Sequence, residues 1–185
     1  VVRELLSLEG DREVDVHARN AAALRMACWQ GRLGVVRELL ALAGDRRVDV
    51  HAANNEAFRW ACCNGHLGVV RELLSLTGDR EVDVHADDEG AFTAACGAGH
   101  LDVVRELLAL TGDREVDVHV RDEDGFRWAC QGGHLGVVRE LLALNGARQV
   151  GALALVGKGI SAAFRPDQLQ VAAEVLAAVP PAAYT

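Results

Sequence analysis

The chain has 185 residues with 19 basic and 27 acidic side chains, a formal net charge of −8, half its residues hydrophobic and only 4% aromatic. That apolar content excludes a disordered chain, and its excess of Ala, Leu and Val speaks for helices rather than an aromatic-rich β-sandwich. The negative balance disfavours nucleic acid and anionic membranes as partners, and no apolar run approaches the ~18 residues of a bilayer span.

Five cysteines, an odd count, do not suit a secreted disulfide scaffold, so an intracellular and cytoplasmic setting is expected. The chain opens on Val1 without an initiator Met or a signal-peptide pattern, and reads as an excerpt of something longer.

In chain order, the hexapeptide VVRELL opens the sequence at Val1–Leu6 and returns at Val35–Leu40, Val69–Leu74, Val103–Leu108 and Val137–Leu142, always 34 residues apart. His17, His51, His85 and His119 keep the same period, as do Cys28, Cys62, Cys96 and Cys130. A fixed period of this size means stacked supersecondary units. Residues 1–20 read as a half repeat holding a second helix and a loop, which leaves Leu5 and Leu6 laterally exposed. Residues 21–145 read as four full repeats.

Within one unit, Phe58, Ala61 and Cys62 fall at i, i+3 and i+4, one face of a first helix that Gly65 ends as a left-handed cap. Leu67, Val70, Leu73 and Leu74 share a face of the second helix, with Arg71 and Glu72 turned away, and Gly78 stops it. The remaining 79–89 segment is polar, with brief alternation at Val82 and Val84, and predicts an extended loop or hairpin-like finger. Helices this short are marginal alone, so stacking must cover their apolar faces. Residues 146–185 keep the register weakly. Val137 maps to Val171, Glu140 to Glu174 and Leu142 to Leu176, which predicts a degenerate capping repeat with its inter-helix turn at Pro166–Asp167.

The stretch Gly65-His66-Leu67-x-Val69-Val70-x-x-Leu73-Leu74, repeated at Gly99-His100-Leu101 and Gly133-His134-Leu135, resembles the second-helix pattern of the ankyrin-repeat family over Val1 to about Leu144. The family's Thr-Pro-Leu-His start is replaced here by Glu56-Ala57-Phe58-Arg59 and its equivalents. The resemblance implies an all-α, ankyrin-type helical-repeat solenoid with long inter-repeat loops, and a non-catalytic module for protein–protein interaction. It also implies a partner held on a concave surface of helices and loop tips. An alternative is the targeting arm of a larger enzyme or effector whose catalytic domain lies outside this excerpt.

Other chemistry fails on spacing. Each Cys is followed four residues later by His (Cys62/His66, Cys96/His100, Cys130/His134), but two ligands per unit do not close a zinc site, and a small buried hydrophobe fits the slot. Only Cys63 leaves the ladder, toward a position where it could be exposed. The loop histidines are expected to bond to loop backbone. Ala152–Ser161 lacks the first Gly of a phosphate loop, and Asp122–Gly125 brings its Gly too early for a calcium loop. No nucleophile, base and acid converge, so neither a cofactor nor a metal is expected.

Positions that vary on this repeated frame mark the candidate surface for a protein partner. They are the pairs before each Gly-His, including Trp29–Gln30, Cys63–Asn64 and Gln131–Gly132, with Arg25, Arg59, Thr93 and Arg127 one turn earlier on the same helices. The acidic loop tips add Asp88 and Glu89, and Asp122 and Glu123. Trp29 is either an exposed anchor or packed on a neighbour, whereas Trp60 and Trp128 are expected to pack between units. A monomer belonging to a longer chain is expected.

Overall fold

The computed structural model describes residues 2–8, 14–150 and 169–178. Among these residues there is no β-strand, and the α-helices are α1 (Val2–Leu6), α2 (Ala18–Trp29), α3 (Leu33–Leu40), α4 (Ala52–Cys63), α5 (Leu67–Leu74), α6 (Ala86–Ala98), α7 (Leu101–Leu108), α8 (Val120–Gly132), α9 (Leu135–Leu142) and α10 (Leu169–Ala178). They form two compact units, Val1–Asp83 with α1 to α5 and Val84–Thr185 with α6 to α10. The expected linker at 152–161 and the Pro166–Asp167 turn lie outside the described residues.

Even-numbered helices from α2 to α8 are the first helices of their repeats and odd-numbered ones from α3 to α9 the second. Phe58, Ala61 and Cys62 of α4 are buried, as the spacing predicts, and α5 adds Val69, Val70 and Leu73. The second unit repeats this with Phe92, Ala95 and Cys96, and again with Phe126, Ala129 and Cys130. Each fully buried Phe, Leu or Val contributes roughly 1.5–3 kcal/mol from the apolar surface it removes from water.

The junction between paired helices is a Schellman turn. At φ 71°, Gly65 lets its own N–H donate to the Cys62 carbonyl at 3.2 Å while the His66 N–H donates to Ala61 at 2.9 Å. Two otherwise orphaned carbonyls at the end of α4 are thereby satisfied.

The loops are not hairpin fingers. Each runs through a short 3-10 turn, such as Gly78–Arg80, and then an extended Val-x-Val stretch whose valines enter the core: Val48, Val50, Val82, Val84, Val116 and Val118 are all buried. The alternation predicted from Val82 and Val84 is therefore a genuine two-sided strip, with Asp83 exposed between them.

Beyond it comes a feature that no propensity predicts. Three successive non-glycine residues in every repeat (Arg19–Ala21, Ala53–Asn55, Asp87–Glu89, Arg121–Glu123) take φ between 49° and 61°. One left-handed turn thus lies at the start of each first helix, ahead of its right-handed part, at a cost of roughly 1–2 kcal/mol per residue. The turn closes on itself, since the third residue's N–H donates to the loop histidine's carbonyl, as in Asn55 to His51 at 3.1 Å and Glu89 to His85 at 3.2 Å.

On the outer face, the Arg of one VVRELL reaches the Glu of the next. In the first unit Arg3 bonds Glu38 at 2.6 Å and Arg37 bonds Glu72 at 2.7 Å. In the second, Arg105 bonds Glu140 at 2.8 Å and Arg139 Nε bonds Glu174 at 2.9 Å. Such exposed pairs contribute about 0.2–1 kcal/mol each. The last one matters for register. Helix α10 starts one full period after Leu135, buries Val171 and Val175 where α9 buries Val137 and Leu141, and presents Glu174 to Arg139.

Candidate partner-binding surface

In the first unit, α2 and α4 carry the expected surface side by side. Arg25 of α2 bonds the Glu56 carboxylate, donates to the Arg19 carbonyl at 2.9 Å and lies over the Trp60 ring, 5.7 Å from its centroid. Glu56 also faces Arg59 at 3.6 Å. Trp60 packs between repeats as expected, under a cation. The Asn64 amide donates to the Trp60 carbonyl at 2.8 Å and so caps the end of α4.

Trp29 resolves in favour of exposure: 46% of its surface is open, beside Met26 at 42% one turn away. Its ring is free of the core while its backbone is fixed, because His66 Nε2 donates to the Trp29 carbonyl at 2.9 Å. Gln30 and Cys63 are also exposed.

In the second unit Gln131 and Asp122 are exposed and Thr93 is half-buried. Arg127 is held by Asp124 at 2.6 Å and Asp88 by Arg121 at 2.9 Å, the latter bond raising the Arg121 guanidinium's affinity for its proton. Trp128 lies with its Cβ and Cγ close to Gly97 of the preceding repeat, as expected of a residue between repeats, and leaves 44% of its surface open. It thus packs against the neighbouring repeat and also stands at the surface.

Two residues expected on the acidic loop tips are not at the surface. Glu89 and Glu123 are only 4% and 7% exposed. As the third residue of its left-handed turn, Glu89 folds inward, where Oε1 accepts from His85 Nδ1 at 2.6 Å and from the Asp117 N–H at 3.2 Å. Glu123 faces His119 Nδ1 at 3.0 Å. Asn55 holds the same place in the first unit, facing His51 Nδ1 at 3.2 Å and accepting from the Asp83 N–H at 3.2 Å. These side chains tie loops together, while Asp87, Asp88 and Asp122 are exposed acids of the tips.

The loop histidines complete that network. Their Nε2 atoms face the carbonyl 28 residues onward: Asp45 for His17 at 2.8 Å, Asp79 for His51 at 3.1 Å, Asp113 for His85 at 2.8 Å and Ala147 for His119 at 2.7 Å. The expected bond to loop backbone is thus a bridge from each loop to the next. The Ala147 carbonyl first, then the Glu123 carboxylate and Asp117, hold His119 above the ordinary imidazole range against a smaller opposing effect of burial.

A second set of linkers went unread in the sequence. Within each unit, arginines that end a Gly-x-Arg turn reach back 40 residues to the last carbonyl of an earlier second helix or its half-repeat equivalent. Arg46 donates to Leu6 at 2.6 Å, Arg80 to Leu40 at 3.0 Å and Arg148 to Leu108 at 3.0 Å. The cationic group sits where the helix dipole is negative. The available signal was the strict recurrence of that Arg at the repeat period.

The cysteine ladder is core. Cys28, Cys62, Cys96 and Cys130 are buried, and burial pushes the Cys28 and Cys130 thiols up to about 12 and the other two still higher. Among the described residues, no three His, Cys, Asp or Glu side chains gather as a metal cluster would need, and no helix is long and apolar enough to cross a membrane.

Paired short helices, Schellman junctions and loop-to-loop bridges at a fixed period define an all-α helical-repeat protein of the solenoid class with long inter-repeat loops. A family model for ankyrin repeats, in three copies, matches residues 58–152, and the chain belongs to the ankyrin-repeat family. Ankyrin repeats in general are protein–protein interaction modules. No curated protein matches the chain.

Proposed function

We propose that the chain is a non-catalytic interaction module that holds a protein partner on the face formed by its first helices and loop tips. One observation carries this reading. The helix positions that repeat unchanged are buried or bonded within the fold, while exposed positions on that face vary: Trp29, Cys63 and Gln131 occupy one register position, Gln30 varies at the next, and the exposed tip acids Asp88 and Asp122 stand where the first unit carries Asn20 and Asn54. Arg25, Arg59, Arg127 and Asn64 are held by neighbours in their own unit and supply a stiff polar border. Thr93 belongs to the same face. Exposed Trp framed by fixed Arg is the composition of interface anchors. Chemistry of catalysis has no comparable support, because its candidate groups recur once per repeat and do not converge.

The test places a photo-cross-linking amino acid at Trp29 or Gln131, and as controls at the outer-face positions Arg37 and Arg105. A discrete cross-linked protein from the first two positions and none from the controls is expected. Capture only from the outer face would overturn the reading.

A further inference from the structure

The varying face is not only polar or apolar by chance of position; its charge differs between the two units. In the first unit, segments 18–32 and 52–66 carry four arginines, Arg19, Arg25, Arg32 and Arg59, against one acid, Glu56. Glu56 is already engaged by Arg25 and faces Arg59. Arg19 and Arg32 are exposed, stand at the two ends of α2, and neither pairs with a carboxylate among the described residues. The equivalent segments of the second unit, 86–100 and 120–134, carry six acids against two arginines. Helix cores, Schellman glycines and linking histidines are alike in both units, so the fold does not require this difference. A positive excess on a chain of net charge −8 sits around the exposed Trp29 and Met26, 46% and 42% open.

We propose that the first-helix face of the Val1–Asp83 unit takes an acidic peptide segment bearing an apolar or aromatic anchor. The anchor lies against Trp29 and Met26, and carboxylates on either side of it meet Arg19 and Arg32. The Arg25 guanidinium, fixed over Trp60 by Glu56, offers a preorganised edge that loses little side-chain freedom on binding. Such a pairing draws its anchoring energy from the desolvated aromatic and its selectivity and salt dependence from the arginines. This inference rests on the protein-binding role proposed above and names the partner's chemistry.

A random-peptide display library selected against the immobilised full chain tests it. The selected pool is expected to be enriched in Asp and Glu flanking Trp, Phe or Leu. Synthetic peptides from that pool should bind about tenfold more weakly to the Arg19→Glu/Arg32→Glu variant, and more weakly still to Trp29→Ala. An unchanged urea midpoint shows that each variant is folded. A pool without acidic enrichment, no enriched pool, or binding indifferent to the double charge reversal would overturn the proposal. Self-association of the chain by sedimentation that the same double variant abolishes would overturn it too, by making a second copy the occupant. Cross-linking through Gln131 that persists while the peptide selection fails removes only this inference, whereas loss of cross-linking at both Trp29 and Gln131 removes the protein-binding role itself.

Discussion

The Arg80 guanidinium donates to the carbonyl of Leu40, the last residue of α3, across 40 residues of chain and 3.0 Å of space. A loop residue of one repeat thus finishes the helix of the repeat before it. Replacing Arg80 with Ala removes a charge-assisted bond to a carbonyl at the negative end of a helix, and should cost about 1–3 kcal/mol. Arg80→Lys should recover only part, since an ammonium lacks the planar fork that reaches from this loop. Urea midpoints of the two variants against the parent protein check both statements.

Gly31 and Gly44 separate two reasons for glycine. Both are left-handed, at φ 67° and 60°, but a Cβ on Gly44 meets open space while one on Gly31 would stand 2.5 Å from His66 Nδ1. Gly44→Ala should therefore cost only the backbone strain, about 1–2 kcal/mol. Gly31→Ala should cost more, because His66 must move and its bond to the Trp29 carbonyl goes with it. Thermal melts of the paired variants should rank them in that order, and equal losses would refute the packing role of His66.

Glu89 is predicted to act through its acceptor oxygen rather than its charge. Glu89→Ala leaves the Asp117 N–H without its acceptor and should cost about 1–3 kcal/mol. Glu89→Gln should cost much less, since Asn55 already does the same work with an amide in the first unit. Hydrogen exchange at the Asp117 amide is the direct readout: fast in the Ala variant, close to parental in the Gln variant.

His119 sets a pH dependence with a definite sign. Its pKa is raised in the folded state by the Ala147 carbonyl and the Glu123 carboxylate. The stability it contributes is complete below the unfolded imidazole value of about 6.5 and is lost as pH rises through the folded value. The urea midpoint of the parent protein should thus fall relative to that of His119→Gln as pH climbs from about 6 to 8. A difference that grows with rising pH instead would reverse the assignment.

Much of the fold was legible because it is periodic at two scales. The 34-residue recurrence fixed the units, and within them Phe58, Ala61 and Cys62 on one helix and Val70 and Leu73 on the next marked faces that the structure buries. Gly65 announced its own left-handed cap. The loop chemistry was less legible, for a physical reason. Asn and Asp adopt positive φ singly, but three such non-glycine residues in succession are not a local preference, so Asp87–Glu89 reads as a solvated acidic run when its third member in fact turns inward. Likewise nothing local distinguishes Arg80 from its exposed neighbour Asp79; its partner is a carbonyl that only stacking brings near. Trp29 was undecided in the sequence because helical spacing removes it from the core face without saying whether a neighbour covers it.

The bonds between repeats span 28, 35, 37 and 40 residues. They start from the loop histidine, the outer arginine, the Gly-His imidazole and the Gly-Asp-Arg guanidinium. One inserted or deleted residue inside a repeat would throw several of these spans out of step together, on opposite sides of the helix pair, and no local rearrangement could mend them all. Addition or loss of an entire repeat leaves every span intact. The fold therefore behaves as a ruler with a fixed graduation: its length can change during evolution by copying or deleting whole units, while the ruling between marks stays closed to drift.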